Sequence, residues 1–244
     1  MCLERVVPIR LIGLALSLGS GSLSKYGCRG RGKRKGRAMK RFRLLGLALP
    51  LAALVLLSPT ASGASEGSGN TKFQWDIINF DFATSTITPG GHASAFATGS
   101  GASTHTGKIT LTGHGTFRSN AGNPQDVTGG GMWQTFDGSA VPTGSGNYQV
   151  TGLVDFDVAP GFLPPSVTDL SGNKADVRSG LAVLKIAYDD GSNGVLVISC
   201  DLPVGSPNTL FEGITASKGH VDYWERDPAV AGVNANRTNF HELH

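Results

Sequence analysis

The chain is poor in cysteine, in aromatic side chains and in charge, and no apolar run in it is long enough to span a bilayer. Three of its 244 residues are Cys. Cys2 and Cys28 lie near the start, so the 180 residues from Ser65 onward hold Cys200 alone. One thiol excludes an internal disulfide, and with it the small disulfide-framed scaffolds. Such a fold must rest on its core and on sheet hydrogen bonds. The longest apolar run, Leu44 to Leu57, has 14 residues. A helix needs about 20 to cross a membrane, so no stable membrane span is expected. No stretch shows sustained helical spacing of apolar residues with caps, which excludes a helical bundle. No repeat of fixed period is present, which excludes propellers and solenoids.

The charge is unevenly placed. The formal net charge is +3, yet 12 of the 21 Lys and Arg lie at or before Arg43, most densely in Arg29–Arg37. Met39–Arg43 is a positive head, Leu44–Leu57 an apolar stretch and Ser58–Ser65 a small-residue exit. These are the three parts of a secretory signal peptide, here residues 39–64. Cleavage is expected near Gly63–Ser65, leaving a secreted or periplasmic product. Met39 then reads as the initiator and residues 1–38 as an over-extended basic leader. The rival is a genuine leader whose Arg/Lys run binds nucleic acid or an anionic membrane. From Ser65 onward the chain carries 17 Asp and Glu against 9 Lys and Arg, a net charge of −8. An acidic product lacks the cationic surface that non-specific nucleic-acid binding needs.

Past the leader, residues 65–72 read as a flexible Gly/Ser linker, 73–227 as a single all-β domain and 228–244 as an irregular tail. Phe73–Phe82 alternates with period two but slips by one residue midway, the mark of a β-bulge or of two short strands. A weak strand is expected near His92–Thr98. Alternation returns over His105–Phe117, with Ile109, Leu111 and Phe117 on one face. Gly129–Phe136 is a strand whose three leading glycines admit close backbone approach or a bulge. Asn147–Val158 alternates most cleanly, with Tyr148, Val150, Val154, Phe156 and Val158 on one face and Asp155 and Asp157 on the other. A short strand is expected at Val167 in the proline-rich connection Pro160–Asn173. The central element is Gly180–Cys200, two apolar runs joined by a turn-rich tract, read as a hairpin. A last pair, Leu210–Ala216 and His220–Trp224, meets at a Ser-Lys-Gly turn. The expectation is an antiparallel β-sandwich or β-barrel of about eight to ten short strands.

Four sets of residues could carry chemistry. His220 and Asp222, two apart on a strand, share a face and could form a base–orienter pair, with Glu225 nearby and Cys200 as a nucleophile. The plainer reading is a solvated strand face and a packing thiol, because Cys200 shares its face with Leu196 and Ile198. Asp189, Asp190 and Asn193 form an oxygen-rich loop of the kind that holds calcium, but they lack the spacing and closing Glu of an EF-hand. Their plainer role is a hairpin turn. His92, His105 and His114 show no close metal-ligand spacing; His105 shares the face of Ile109 and Leu111. His241 and His244 fall in the tail and read as solvated. Trp75, Trp133, Tyr223 and Trp224 could form a sugar-stacking platform, although Tyr223 and Trp224 must point to opposite faces, so one is core. Asn236-Arg-Thr238 matches the glycosylation acceptor pattern.

No cofactor is implied. The leading reading is a secreted, non-catalytic β domain that binds a ligand or surface or has a structural role. Its partner would be a small molecule, a carbohydrate or the cell envelope. The first alternative is a small barrel that binds or isomerises an apolar molecule, with His105 as an inward polar group. The second is an exported hydrolase using His220 and Asp222.

Overall fold

Alternating apolar and polar side chains, punctuated by glycine-rich turns, produce strand after strand and, among the described residues, no α-helix. The computed structural model describes residues 70–99, 104–120 and 123–244. The expected leader, the expected signal peptide and most of the expected linker lie outside the described residues. No helix among the described residues is long and apolar enough to cross a membrane.

The strands are β1 (Lys72–Asp81), β2 (Thr86–Pro89), β3 (Ala93–Thr98), β4 (His105–Leu111), β5 (His114–Arg118), β6 (Val127–Asp137) and β7 (Pro142–Ala159). They continue as β8 (Thr168–Asp169), β9 (Val177–Tyr188), β10 (Asn193–Cys200), β11 (Gly213–Lys218), β12 (Val221–Tyr223), β13 (Glu225–Arg226) and β14 (Gly232–Leu243). Six of them close a ring in the order β1, β14, β9, β7, β6, β5 and back to β1, antiparallel throughout. The all-β expectation is met, and the form is a closed barrel with extra strands.

The ring closes narrowly. β9 and β14 pair only through Arg178 with Phe240 and Val177 with His241. Further along β9, β10 takes the place of β14. The same split occurs on β6, which pairs β5 up to Gly130 and β4 from Trp133. The extra strands leave the ring at these two forks. β12 pairs β11 and β13 pairs β3, so the run Val221–Arg226 covers the open edges of both flanks. An uncovered edge is a template for unwanted pairing.

The barrel interior is filled. Four of its strands each send one Phe into a single cluster of Phe73, Phe117, Phe156 and Phe240. Ring centroids lie 4.7 Å apart for Phe73–Phe156 and for Phe117–Phe156, and 5.1 Å for Phe156–Phe240. Aromatic pairs in tilted or edge contact add to the burial of their area.

The central hairpin forms as expected, pairing Gly180 with Cys200 through to Ala187 with Asn193. Its turn is closed by Tyr188 N–H to Ser192 O and Gly191 N–H to Tyr188 O, with Gly191 at φ 86°, which favours glycine. β1 runs without the expected slip: it pairs in regular register with β5 and β2, and the irregularity opposite Ile78 and Phe80 lies on β14, between Arg237 and Gly232.

Three further expectations are corrected. The stretch His105–Phe117 is two strands, because the chain turns at Thr112–Gly113 to pass from β4 to β5. The single alternation over Asn147–Val158 is interrupted by irregularities between Val150 and Gly152 and between Leu153 and Asp155. Each one flips the phase, so Val154 points out; Val158 is exposed too, and Phe156 keeps to the core. The supposed irregular tail contains β14, a twelve-residue barrel strand. Its polar composition hides it. Asn236, Thr238 and Asn239 are buried, but each side chain makes at least one hydrogen bond inside the fold, which offsets part of the cost of leaving water.

Candidate ligand pocket

Most of the residues that composition and spacing singled out do not converge. His220 lies in the turn between β11 and β12, and Asp222 faces solvent opposite Ser217. Among the described residues no hydrogen bond joins them. Glu225 is held by His105, 3.0 Å away. Cys200 sits in the core at the far end of the hairpin, where burial pushes its thiol well above the usual range. The hydrolytic constellation is therefore not assembled.

The loop carboxylates serve geometry. Asp189 accepts the Trp133 indole N–H at 3.0 Å and the Asn147 N–H at 2.7 Å. Asp190 accepts from Ser192 and pairs with Lys218, whose ammonium lies 4.2 Å from the Trp133 ring centre. These donors turn the two carboxylates to different partners, and Asn193 begins β10. Among the described residues no cluster of His, Cys, Asp and Glu could hold a metal ion.

No aromatic platform forms either. Trp75, Trp133 and Tyr223 are core residues, and Trp224 alone is exposed. His105 is not an inward group. It is exposed at the end of β4 and stacks on Phe96 at 3.9 Å. His92 bonds Asn234 at 2.7 Å, and His114 is exposed. The sequon residue Asn236 is buried, with its amide bonded to Ser94 N–H and Pro228 O.

The chemistry lies on the outer face of β1 and β14, which the connections 160–176 and 201–212 cover. In the register of this pair, Asp76 faces Asn239, Gln74 faces His241 and Ile78 faces Arg237. His241 is buried, contrary to the solvated reading. Its Nε2 is 3.0 Å from Asp169 Oδ2. Burial pushes the Asp169 carboxyl up, but bonds from His241 and Ser171 outweigh this and hold it below the usual carboxylate range. Asp76 accepts from Gln74 at 2.6 Å, and its carboxyl is raised by burial.

Beside this polar cluster is a pocket of about 190 Å³. Ile78, Ile87, Leu163, Val167 and Leu202 give it apolar walls. Arg237 stands at one side, its guanidinium 5.3 Å from the Phe80 ring centre and 5.5 Å from that of Phe82. Glu212 and Asn239 complete the lining. Glu212 Oε1 accepts the Thr238 N–H and Oε2 the Asp201 N–H, each at 2.7 Å. Glu212 keeps part of its surface accessible, as a lining residue does, yet the protein around it is dense. Burial outweighs both hydrogen bonds and the nearby Arg237 charge, pushing the carboxyl up to about 8. Asn239 is 1% exposed, and its Oδ1 has no hydrogen-bond partner.

Sequence reasoning did not single out Glu212, Asn239, Arg237 or Asp169. One signal was present for Glu212, an acid set between Leu210-Phe211 and Gly213-Ile214. A lone carboxylate in an apolar run either turns to solvent or is buried with partners. Comparison with family models, curated proteins and solved structures finds no match to this chain.

Proposed function

We propose that the chain is an exported binding barrel that holds a small, mostly apolar molecule in the pocket between Glu212 and Asn239. The observation that carries this reading is an apolar-walled pocket of about 190 Å³ with Glu212 and Arg237 in its lining. Sites for small molecules are concave, mainly apolar and furnished with a few fixed polar groups. The barrel interior is filled by phenylalanines, so the ligand site is beside the ring rather than within it. The secretory reading of residues 39–64 supports export, and mass spectrometry of the exported protein tests it: an amino terminus near Ser65 is expected.

Calorimetric titration of the full chain with n-octanol tests binding. Saturable binding is expected. Leu163→Trp, which fills the pocket from its covering loop, is expected to abolish it. Octanol that binds Leu163→Trp as well as the parent chain would overturn the reading.

A second reading, isomerisation, is favoured by one observation: Asp201 lines the same pocket as Glu212. Two carboxyls in different environments can divide the roles of acid and base. Uptake of deuterium from heavy water at the carbon next to the n-octanal carbonyl tests it, and exchange no faster than in buffer would dismiss it.

A further inference from the structure

We infer that the outer face of the barrel holds a second site, separate from the pocket at Glu212, where the Asp76 carboxylate takes the primary ammonium group of a small organic molecule.

The site follows from the alternation and register of β1. Trp75 and Ile77 point into the barrel, so Asp76 between them points out. Asp76 is 4% exposed. Its Oδ2 accepts from Gln74 at 2.6 Å. Its Oδ1 has no hydrogen-bond partner among the described residues and, unlike Asn239 Oδ1, it retains accessible surface. Asp76 lines a pocket of about 620 Å³ together with Pro89, His114, Met132 and Gln149. His114 stands directly opposite Asp76 in the pairing of β1 with β5. Side chains so placed start about 5 Å apart, which sets the imidazole beside the carboxyl. β6 adds Gly129, Gly130 and Gly131 to the lining, so these positions put no side chain over Asp76.

The charge of this pocket is unbalanced. Its lining has no Lys or Arg, and Asp76 is its only carboxylate. Burial raises the Asp76 carboxyl, against the Gln74 bond and the charges of His241 and His114. His241 already meets Asp169 at 3.0 Å. A carboxylate taken out of water is costly unless a cation and hydrogen bonds meet it. The neutral Gln74 amide meets one oxygen. The other is left open to the pocket.

An ammonium brings what is missing, a positive charge and donors with no acceptor. One N–H goes to Asp76 Oδ1, and the neutral His114 ring beside it has an acceptor nitrogen for a second. A hydroxyl offers one proton and no charge, and a carboxylate is repelled. A calcium ion takes about six to eight oxygen ligands. Among the described residues no cluster of His, Cys, Asp and Glu could hold a metal ion.

The test is calorimetric titration of the full chain at neutral pH with cyclohexylamine, cyclohexanol and cyclohexanecarboxylate, which share a ring and differ in head group. Cyclohexylamine is expected to bind at least about tenfold more tightly than the other two, as a hydrogen bond to a charged group implies. Asp76→Asn keeps an oxygen for Gln74 and turns the open atom into an NH₂, so it is expected to remove the preference. His114→Lys, at an exposed position, sets an ammonium opposite Asp76 and is expected to abolish amine binding and raise the urea midpoint. Leu163→Trp, which fills the pocket at Glu212, is expected to leave amine binding unchanged. Equal affinity for cyclohexylamine and cyclohexanol, or amine binding that His114→Lys leaves intact, would overturn the inference. Loss of amine binding in Leu163→Trp would place the amine in the other pocket and overturn it as well. Displacement of the amine by calcium chloride at matched ionic strength would make this a metal site instead. The panel on the parent chain and on His114→Lys decides the matter even if Asp76→Asn does not fold.

Discussion

His241 Nε2 lies 3.0 Å from Asp169 Oδ2, and both side chains are shut away from solvent. The contact ties the last strand of the barrel to the loop that roofs the pocket. Asp169 also accepts the N–H and hydroxyl of Ser171, so it organises the whole cover. Removing one member of a buried, hydrogen-bonded pair leaves the other unmet. Asp169→Ala is therefore expected to destabilise the fold by about 3–5 kcal/mol in urea denaturation. The Asp169 carboxyl is held below its ordinary 3.8. Its stabilisation is present above that value and is lost as the pH falls through the folded-state value. Acid denaturation that is unchanged in Asp169→Asn would show that this pair does not govern the acid limb.

Glu212 works in the opposite direction. Its folded-state value is about 8 against an ordinary 4.5. Between these values the unfolded chain has released a proton that the folded chain retains. Stability is therefore greatest below the lower value, declines across the interval and levels off above the upper one. The limiting slope is about 1.4 kcal/mol per pH unit. Thermal unfolding followed from mildly acid to mildly alkaline pH is expected to show this decline. Glu212→Gln is expected to flatten it, at a cost of about 1–3 kcal/mol, since its NH₂ faces one of the two backbone N–H donors. An equal slope in the variant would mean that another group titrates in this window.

The contrast between these carboxyls and the residues that spacing suggested shows what the chain makes legible. Strand periodicity is a local property, so β1, the β9–β10 hairpin and the β11–β12 pair can be read from side-chain alternation. Ring closure is not local. It depends on β14 reaching β1, some 160 residues earlier in the sequence, and a strand of Asn, Thr and Arg gives no apolar signal. The same limit hid the pocket. Glu212, Asn239 and Asp169 come from three separate segments, and only the fold brings them to one face. His220 and Asp222 were conspicuous because they are close in sequence, yet closeness along an exposed strand supplies neither burial nor partners.

Cys200 provides a direct check on the core. Burial raises its thiol well above the usual range and keeps reagents out. A thiol reagent is expected not to label the native protein and to label it fully in denaturant. Cys200→Ser is expected to leave octanol binding unchanged, since the thiol does not line the pocket. Loss of binding in a variant that remains folded would give the thiol a role that packing does not.

Asn236 shows how a surface motif can be taken up by the fold. Its Oδ1 accepts the Ser94 N–H at 2.8 Å and its Nδ2 donates to Pro228 O at 2.9 Å. A glycan on that nitrogen would replace one of its two hydrogens and force a polar chain into a buried site. Folded protein offered to a glycosylating extract is therefore expected to gain no mass at Asn236, whereas the unfolded chain presents the sequon. Glycan found on the folded domain would contradict the burial of this side chain.

Gly131 tests the geometry of the barrel itself. It lies on β6 at the fork where β5 gives way to β4. A Cβ at this position would stand 2.1 Å from the Thr112 carbonyl oxygen, far inside van der Waals contact. Backbone cannot retreat as a flexible side chain can, so Gly131→Ala must push the β4–β5 turn away from β6. That turn also donates the carbonyl that accepts the Tyr148 hydroxyl at 2.8 Å and the one that accepts the Ile77 N–H at 2.9 Å. The variant is expected to lose about 3 kcal/mol or more, the upper range for overpacking, because it strains the ring and both bonds together. Denaturant unfolding measures the loss. Gly152→Ala is the control for chain entropy, since a Cβ there meets only the flexible Lys185 side chain, at 3.7 Å. If Gly131→Ala proved no more damaging than this control, the strands at the fork could not be packed as closely as the barrel requires.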